Sequence, residues 1–365
     1  MTDPVTTPSA LIITGSVGAG HDGAADELAH RLRQIGLLVD VRDYLDALPR
    51  PLRFFLRTGY TGTVERIPFV FQWLFWAIEN LRPMQAAMSA LCRLGDDAVA
   101  RWARARPYAV VVSTYPLAGQ SLGNLRESGR CTVPVVSYLT DPAPHRYWVH
   151  PAVDHHLTVT EQTAQQGQAD YGIAMTVAGP LVPARFRSVS PSRTAALRAD
   201  LGLSPDRLVA LVGGGSLGLG AIEEVVRLVL RAGLVPLVLC GRNDALRRRL
   251  SVEPAVVALG WRTDVHELMH VADVLVHNAG GLTFTEAYVA GLPAVSYRCI
   301  PGHGRINAAA LEDAGLAPWA HSPGQFLTAV RSQAVRDRVV HRYDDPATVI
   351  LGLVGATVQP LVEAA

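Results

Sequence analysis

LVALVGGGSLGLGAIEE (208–224), LCGRN (239–243), ALGWRTDVHELMHVADVLVHNAGGLTFTEAYVAGLP (258–293) and SYRCIPGHGRINAAALEDAG (296–315) decide how this chain folds. Each glycine cluster follows an apolar, strand-like run and opens a helical one, so backbone N–H groups converge where a helix N-terminus favours an anion. The first cluster carries Gly214, Gly215 and Ser216, the second Ala279, Gly280, Gly281 and Thr283. Glu286 follows a little more than one turn into the second helix, where a carboxylate can accept both ribose hydroxyls of a nucleotide whose phosphates rest on the helix start. Two glycine turns and one carboxylate point to a nucleoside diphosphate. Preorganised donors aimed at developing charge are worth ~3 kcal/mol each, so such a cradle can replace a metal. Tight packing is the competing reason for a glycine turn, and a Glu near a helix start also favours the helix dipole.

Upstream the same alternation is present. LIIT, LLVDVRDY, AVVVST, VPVVSYLT, HHLTVT and MTVAG are short, largely β-branched runs, with ADELAHRLRQIG, GDDAVARWARAR and EQTAQQGQADYG as helices among them. After the Pro/Ser/Arg-rich GPLVPARFRSVSPSRTAALRADLGLSPD the pattern restarts with LVALVGGG, VPLVLCG, AVVALGW, VLVHNAG and PAVSYR. Alternating β and α at this spacing predicts an α/β protein with parallel sheets and crossover helices, and the restart predicts two of them, divided near residue 183. Ligands of such sheets sit outside the carboxyl ends of the strands, which makes a cleft between the domains the expected site.

A length of 365 residues suits two domains, and with 49% apolar and 18% charged residues the chain can bury large cores. A net charge of +1 removes the electrostatic argument for nucleic acid. All 33 basic residues are Arg, which excludes a Walker-type Lys, a Schiff-base Lys and Lys-linked pyridoxal phosphate. Cys92, Cys131, Cys240 and Cys299 show neither C-x-x-C nor zinc spacing and read as reduced, structural thiols of a cytosolic protein. MTDPVTTPSA lacks a basic n-region and runs straight into a strand-like stretch, so export is not expected.

Residues 49–94 break the rhythm. Phe54, Phe55, Phe69, Phe71, Trp73, Phe75 and Trp76 stand among Arg50, Arg53, Arg57, Arg66 and Arg82, with Glu65 and Glu79 as the acids. The uncharged run is well short of the ~20 residues that cross a bilayer. The segment reads either as a surface element at headgroup level, with Arg facing anionic lipid, or as buried helices filling the first core.

With these residues in view, the chain resembles the two-domain GT-B glycosyltransferases. Within them it is similar to the monogalactosyldiacylglycerol synthases, the processive diacylglycerol glucosyltransferases and, more distantly, the lipid II N-acetylglucosaminyltransferase of peptidoglycan synthesis. GAGHDGAADEL, STYPL and SYLTDPAPHRYWVHPAVDHHLTVTE carry the likeness in the first half. VGGGSLG, CGRN, GW, NAGGLTFTEAYVAGLP and IPG with Asn307 carry it in the second, in the family's order. The resemblance implies two Rossmann-like domains facing a cleft: 1–182 for the acceptor, 183–338 for the nucleotide-sugar, and 339–365 as a helix crossing back to the first. It also favours the interfacial reading of 49–94.

The activity it implies is inverting transfer of a sugar from a nucleotide donor, a UDP-sugar first, to a hydroxyl of a membrane lipid. The nucleotide-sugar is then a substrate, no cofactor is expected, and the protein is cytoplasmic with peripheral membrane contact. His21 ends the opening glycine turn, where an imidazole titrating near working pH can deprotonate a hydroxyl, or can cap the following helix or bond the diphosphate. Asp141 is a second base, a group orienting His21, or a turn-former before Pro142. His145, His150, His155 and His156 lack a carboxylate pattern and read as loop and acceptor-side residues, without a metal. By resemblance Glu286 binds the ribose, and the backbone at Trp261 and Arg262 meets the base. Arg242 takes either phosphate, acceptor or a surface ion pair, and His303, Arg305 and Asn307 face the sugar.

Two departures stand out. His303, Gly304, Arg305 and Ile306 replace the acidic or Gln residues that follow IPG in the relatives, which leaves the donor sugar open. Leu181-Val182-Pro183 replaces a Pro-Val-Arg at the linker, with Arg185 two places on. A soluble natural-product acceptor and a nucleotide-sugar-binding protein without turnover are the alternatives. Epimerase chemistry would ask for paired acids beside the sugar, and none are evident.

Overall fold

SALIIT forms the first strand, β1 (Ser9–Thr14), and all six of its residues are buried. Leu11 and Ile13 belong to one apolar cluster and Ala10 and Ile12 to another, so the strand feeds a core on each face. A strand buried on both sides belongs inside a parallel sheet covered by helices. The computed structural model describes residues 7–59, 68–214 and 221–355, and these divide into two compact units. The first holds 7–59, 72–181 and 343–355, and the second 68–71, 182–214 and 221–342.

In the first unit β1 leads into α1 (Ala19–Gln34), which buries Ala24, Ala25, Leu28, Ala29 and Leu32. Then come β2 (Leu38–Asp43), α2 (Arg50–Phe54), α3 (Pro68–Asn80, of which 72–80 belong to this unit), α4 (Arg82–Arg93), α5 (Asp96–Ala103) and β3 (Tyr108–Ser113). They are followed by α6 (Pro116–Glu127), β4 (Val135–Tyr138), β5 (His155–Thr158), α7 (Glu161–Tyr171) and β6 (Thr176–Val177). The sheet runs β2-β1-β3-β4-β5-β6, all parallel. Its order reverses between β1 and β3, and a topological switch point of this kind leaves a crevice at the carboxyl ends of the two strands. An Ile12→Ala exchange would open a void here at a cost of about 2–5 kcal/mol.

The second unit starts with α8 (Pro191–Asp200), whose Ser190 side chain caps the Arg193 N–H, and continues with β7 (Val209–Gly213), α9 (Ile222–Arg231) and β8 (Val235–Leu239). Next are α10 (Asp244–Leu250), β9 (Val257–Leu259), α11 (Val265–Val271), β10 (Val274–His277) and α12 (Gly281–Val289). β11 (Ala294–Ser296), α13 (His303–Asp313) and α14 (Pro323–Ala334) complete it. Its parallel order, β11-β10-β7-β8-β9, puts the reversal between β7 and β10, with Gly213 opposite His277 at the carboxyl end. Ala210, Val212, Val238, Val274 and Val276 face α9 and α14 on one side, while the intervening Leu211, Leu237 and Leu275 are wholly buried toward the other.

The last described helix, α15 (Pro346–Leu353), belongs to the first unit. Ala347, Ile350 and Leu351 join Leu28 and Leu32 of α1 in one core cluster, and Arg31 spans Glu27 at 2.7 Å and Asp345 at 2.8 Å.

Candidate active site

In the first unit the glycine turn must pass under Tyr115, because a Cβ at Gly15 would fall 2.4 Å from that ring. The turn delivers His21 on the first helical turn of α1, at the β1/β3 switch point. Its Nδ1 lies 2.9 Å from the Thr114 carbonyl oxygen and 3.0 Å from Thr140 Oγ1. A carbonyl only accepts, so the neutral ring carries its proton on Nδ1 and its basic atom is Nε2. Tyr115 meets the ring edge-on at 5.1 Å and Trp148 lies 5.8 Å away.

Asp141 follows Thr140 on the same strand end, and its Oδ2 accepts the Trp148 indole N–H at 2.9 Å. It thus anchors the indole that flanks His21. Thr114 and Thr140 hold His21 Nδ1. The hydroxyls of Thr14 and Ser16 donate to Asp22 Oδ1 at 2.9 and 3.2 Å, closing the glycine turn onto α1.

Three of the four clustered histidines shape the backbone. His145 Nδ1 accepts the Tyr147 N–H, His150 Nδ1 the Ala152 N–H, and His156 Nε2 the His150 N–H. His156 belongs to β5 and is buried, which corrects its reading as a loop residue on the acceptor side. Burial pushes its imidazole down to about 4.

In the second unit the turn after β10 is the more elaborate. Ala279 sits at φ 63, a left-handed conformation that costs a side-chain-bearing residue roughly 1–2 kcal/mol. Both its peptide groups are held: the N–H donates to His277 Nδ1 at 3.2 Å, and the carbonyl accepts from Asn307 Nδ2 at 3.2 Å. His277 is buried, pushed down to about 4, and its remaining nitrogen faces Ser296 Oγ at 3.2 Å. Gly280 is the N-cap of α12 and Gly281 its first residue, so the opening N–H groups of a nine-residue helix emerge at the β7/β10 switch point. No acidic residue occupies that first turn. The methyl of Thr283 lies against Gly213, 3.4 Å from where a Cβ would be, so the two glycine turns adjoin. Gly214 is buried there, whereas Gly215 and Ser216 lie outside the described residues.

Glu286 is on α12, and burial pushes its carboxyl up to about 8 against the opposing charge of Arg185. Arg185, displaced in sequence, therefore acts on the expected ribose ligand. Arg242 stacks over the exposed Trp261 ring at 4.7 Å, bringing together two residues from separate strand ends. Arg262 is clasped by Asp264 through two hydrogen bonds, so its guanidinium serves that turn. His303 opens α13 and Arg305 is exposed on its first turn. Asn307, set against the sugar by resemblance, is wholly buried and its Nδ2 donates to the Ala279 carbonyl, bracing that turn. Gly304 lets the start of α13 lie close to the preceding loop, since a Cβ would sit 3.0 Å from Ile300 Cβ and 3.2 Å from the Asn278 carbonyl oxygen.

Sequence reasoning missed Thr114, Thr140, Trp148 and His277. The first three stand inside STYPL and SYLTDPAPHRYW, so the motifs marked them without indicating their bonds, and His277 looked like the end of a strand.

Comparison with known proteins adds independent findings. A family model described as monogalactosyldiacylglycerol (MGDG) synthase matches residues 21–177, and one described as glycosyl transferases group 1 matches 219–332. A processive diacylglycerol beta-glucosyltransferase of Bacillus mycoides is 24% identical over 326 residues, 86% of this chain and 82% of its own. The protein of that name from Bacillus subtilis is 27% identical over 244 residues, 64% of this chain and 62% of its own. The crystal structure of MurG from Acinetobacter baumannii superposes with a TM-score of 0.60 at 17% identity, over 96% of this chain and 100% of that one. That last likeness speaks for the fold.

Proposed function

We propose that this chain, which belongs to the GT-B lipid-glycosyltransferase group of the monogalactosyldiacylglycerol synthases and processive diacylglycerol glucosyltransferases, glycosylates a lipid hydroxyl. The donor is a nucleotide-activated hexose, with uridine diphosphate as the carrier, and the acceptor is a lipid such as diacylglycerol. Transfer inverts the anomeric carbon. The observation that carries this reading is His21, whose Nδ1 is committed to the Thr114 carbonyl so that Nε2 is the basic atom.

An acceptor hydroxyl at that nitrogen gives up its proton as its oxygen attacks the anomeric carbon. The bond from that carbon to the diphosphate breaks, and its electron pair leaves with the diphosphate. The imidazolium then returns its proton to water. On the donor side, the N–H groups at the start of α12 receive the developing negative charge, and Glu286 accepts from the ribose hydroxyls once ionised. Asp141 keeps Trp148 against the imidazole. The donor is consumed as a substrate and no cofactor takes part.

The acceptor side is supported by the surface of the described residues in 49–59 and 68–94. Phe54, Phe55, Phe69, Trp73 and Trp76 are 50–88% exposed, an unusual concentration of large apolar side chains in water, and Arg50, Arg82 and Arg93 are exposed beside them. Apolar rings flanked by Arg suit the anionic face of a membrane. Among the described residues no helix is long and apolar enough to cross one.

The test is direct. Purified protein is incubated with a panel of nucleotide-sugars and diacylglycerol in phosphatidylcholine–phosphatidylglycerol vesicles, and the lipid extract is weighed by mass spectrometry. A hexosyl-diacylglycerol from one donor is expected; no lipid-linked sugar with any donor overturns the reading.

A further inference from the structure

Glu79 is the single charged residue of α3, PFVFQWLFWAIEN. The helix presents Phe69, Trp73 and Trp76 outward, spaced i, i+4 and i+7, while Ala77 is wholly buried and Ile78 packs on the first unit's core. Glu79 turns inward with them. Its Oε1 accepts the Arg146 N–H at 3.1 Å, its Oε2 accepts the Tyr171 hydroxyl at 3.3 Å, and His145 Nδ1 lies 4.0 Å from it. One turn earlier on the same helix, Phe75 meets the His145 ring edge-on at 5.8 Å.

These contacts continue toward the chemistry. The His145 ring lies 6.0 Å from that of Trp148, Trp148 donates to Asp141, and Trp148 flanks His21 at 5.8 Å. A carboxylate held away from water is costly, and burial raises this one's pKa although the Arg146 N–H opposes the shift. A helix that only filled core or only touched lipid would have no need of such a group at this place. We propose that Glu79 is a positioning residue that ties the aromatic helix to the 141–148 loop, so that seating α3 on an anionic lipid surface sets Asp141 and Trp148 against His21.

The inference rests on the lipid-acceptor reading above, and the experiment separates the two. Hydrogen exchange of the full chain is followed by mass spectrometry with and without phosphatidylcholine–phosphatidylglycerol vesicles, beside flotation of the same samples. In the wild type, vesicles are expected to slow exchange in 68–80 and also in 141–150. In Glu79→Gln, which keeps the size and an acceptor oxygen but not the charge, flotation persists and slowing is confined to 68–80. Transfer then falls about ten- to a hundred-fold in kcat with the KM for the nucleotide-sugar unchanged, the signature of a misplaced reacting group. Tyr171→Phe, which removes one hydroxyl donor and keeps the ring, should weaken the same coupling without loss of fold. A wild type that floats yet shows no response in 141–150, or a Glu79→Gln protein whose 141–150 segment responds as the wild type does, overturns the inference. A wild type that does not float overturns the lipid reading itself and this inference with it.

Discussion

A neutral imidazole accepts a proton only on the nitrogen that does not already carry one, and at His21 the Thr114 carbonyl decides which that is. His21→Ala is therefore expected to reduce sugar transfer by about 10²–10⁴-fold while calorimetry shows nucleoside diphosphate binding unchanged; equal turnover would remove His21 from the mechanism. Glu286 gives a prediction with a sign. Its carboxyl is raised from 4.5 to about 8, so between those values the folded chain holds a proton that the unfolded chain has lost. Its contribution to stability is complete below pH 4.5 and is lost as pH rises through 8. Ribose hydroxyls need the ionised acceptor, so affinity for uridine diphosphate should strengthen from about pH 6 to 8, and the Glu286→Gln profile should be flatter. A wild-type profile as flat as the variant's would take the ribose off Glu286. Glycines and acids at such sites were legible in the sequence because their spacing carries the chemistry. The clamp on Ala279 was not, since its two halves come from His277, which local pattern assigns to a strand end, and Asn307, which the family resemblance sets beside the sugar.

At the scale of elements, strands buried on both faces are easy to read: their apolar runs are continuous and end at glycine, as in LIIT before Gly15 and LVALV before Gly213. The helix α3 was not, because hydrophobic periodicity identifies an inward face by contrast with a polar outward one, and here both faces are apolar. Only tertiary packing separates Ala77 and Ile78, turned in, from Phe69, Trp73 and Trp76, turned out. Replacing Trp73 and Trp76 together by Ser should abolish flotation with anionic vesicles. Since both rings are at least half exposed, the thermal midpoint should stay within a few degrees of the wild type. A large fall in the midpoint would show that these rings pack inward and that the lipid-facing assignment is wrong.

For the molecule as a whole, the two sheets share one logic: each reverses its strand order once, and the chemistry-bearing loops gather at the carboxyl ends there. Each unit also encloses a neutral histidine, His156 in the first and His277 in the second, lowered from 6.5 to about 4. The unfolded chain protonates both below pH 6.5 and the folded chain does not until about 4, so stability is full above that window and declines as pH falls through it. The loss is on the order of 3 kcal/mol apiece at most. Glu286 contributes in the opposite sense over the same window, so the test is made in Glu286→Gln: its thermal midpoint should fall between about pH 7 and 4, and a constant midpoint would mean that these rings are already charged in the fold. The central claim is that the amides opening α12 grip a diphosphate while Glu286 takes the ribose. A crystal grown with uridine diphosphate tests it most directly: the diphosphate is expected at Gly280 and Gly281 with the ribose hydroxyls on Glu286, and a nucleotide bound elsewhere, or none at millimolar concentration, would contradict it.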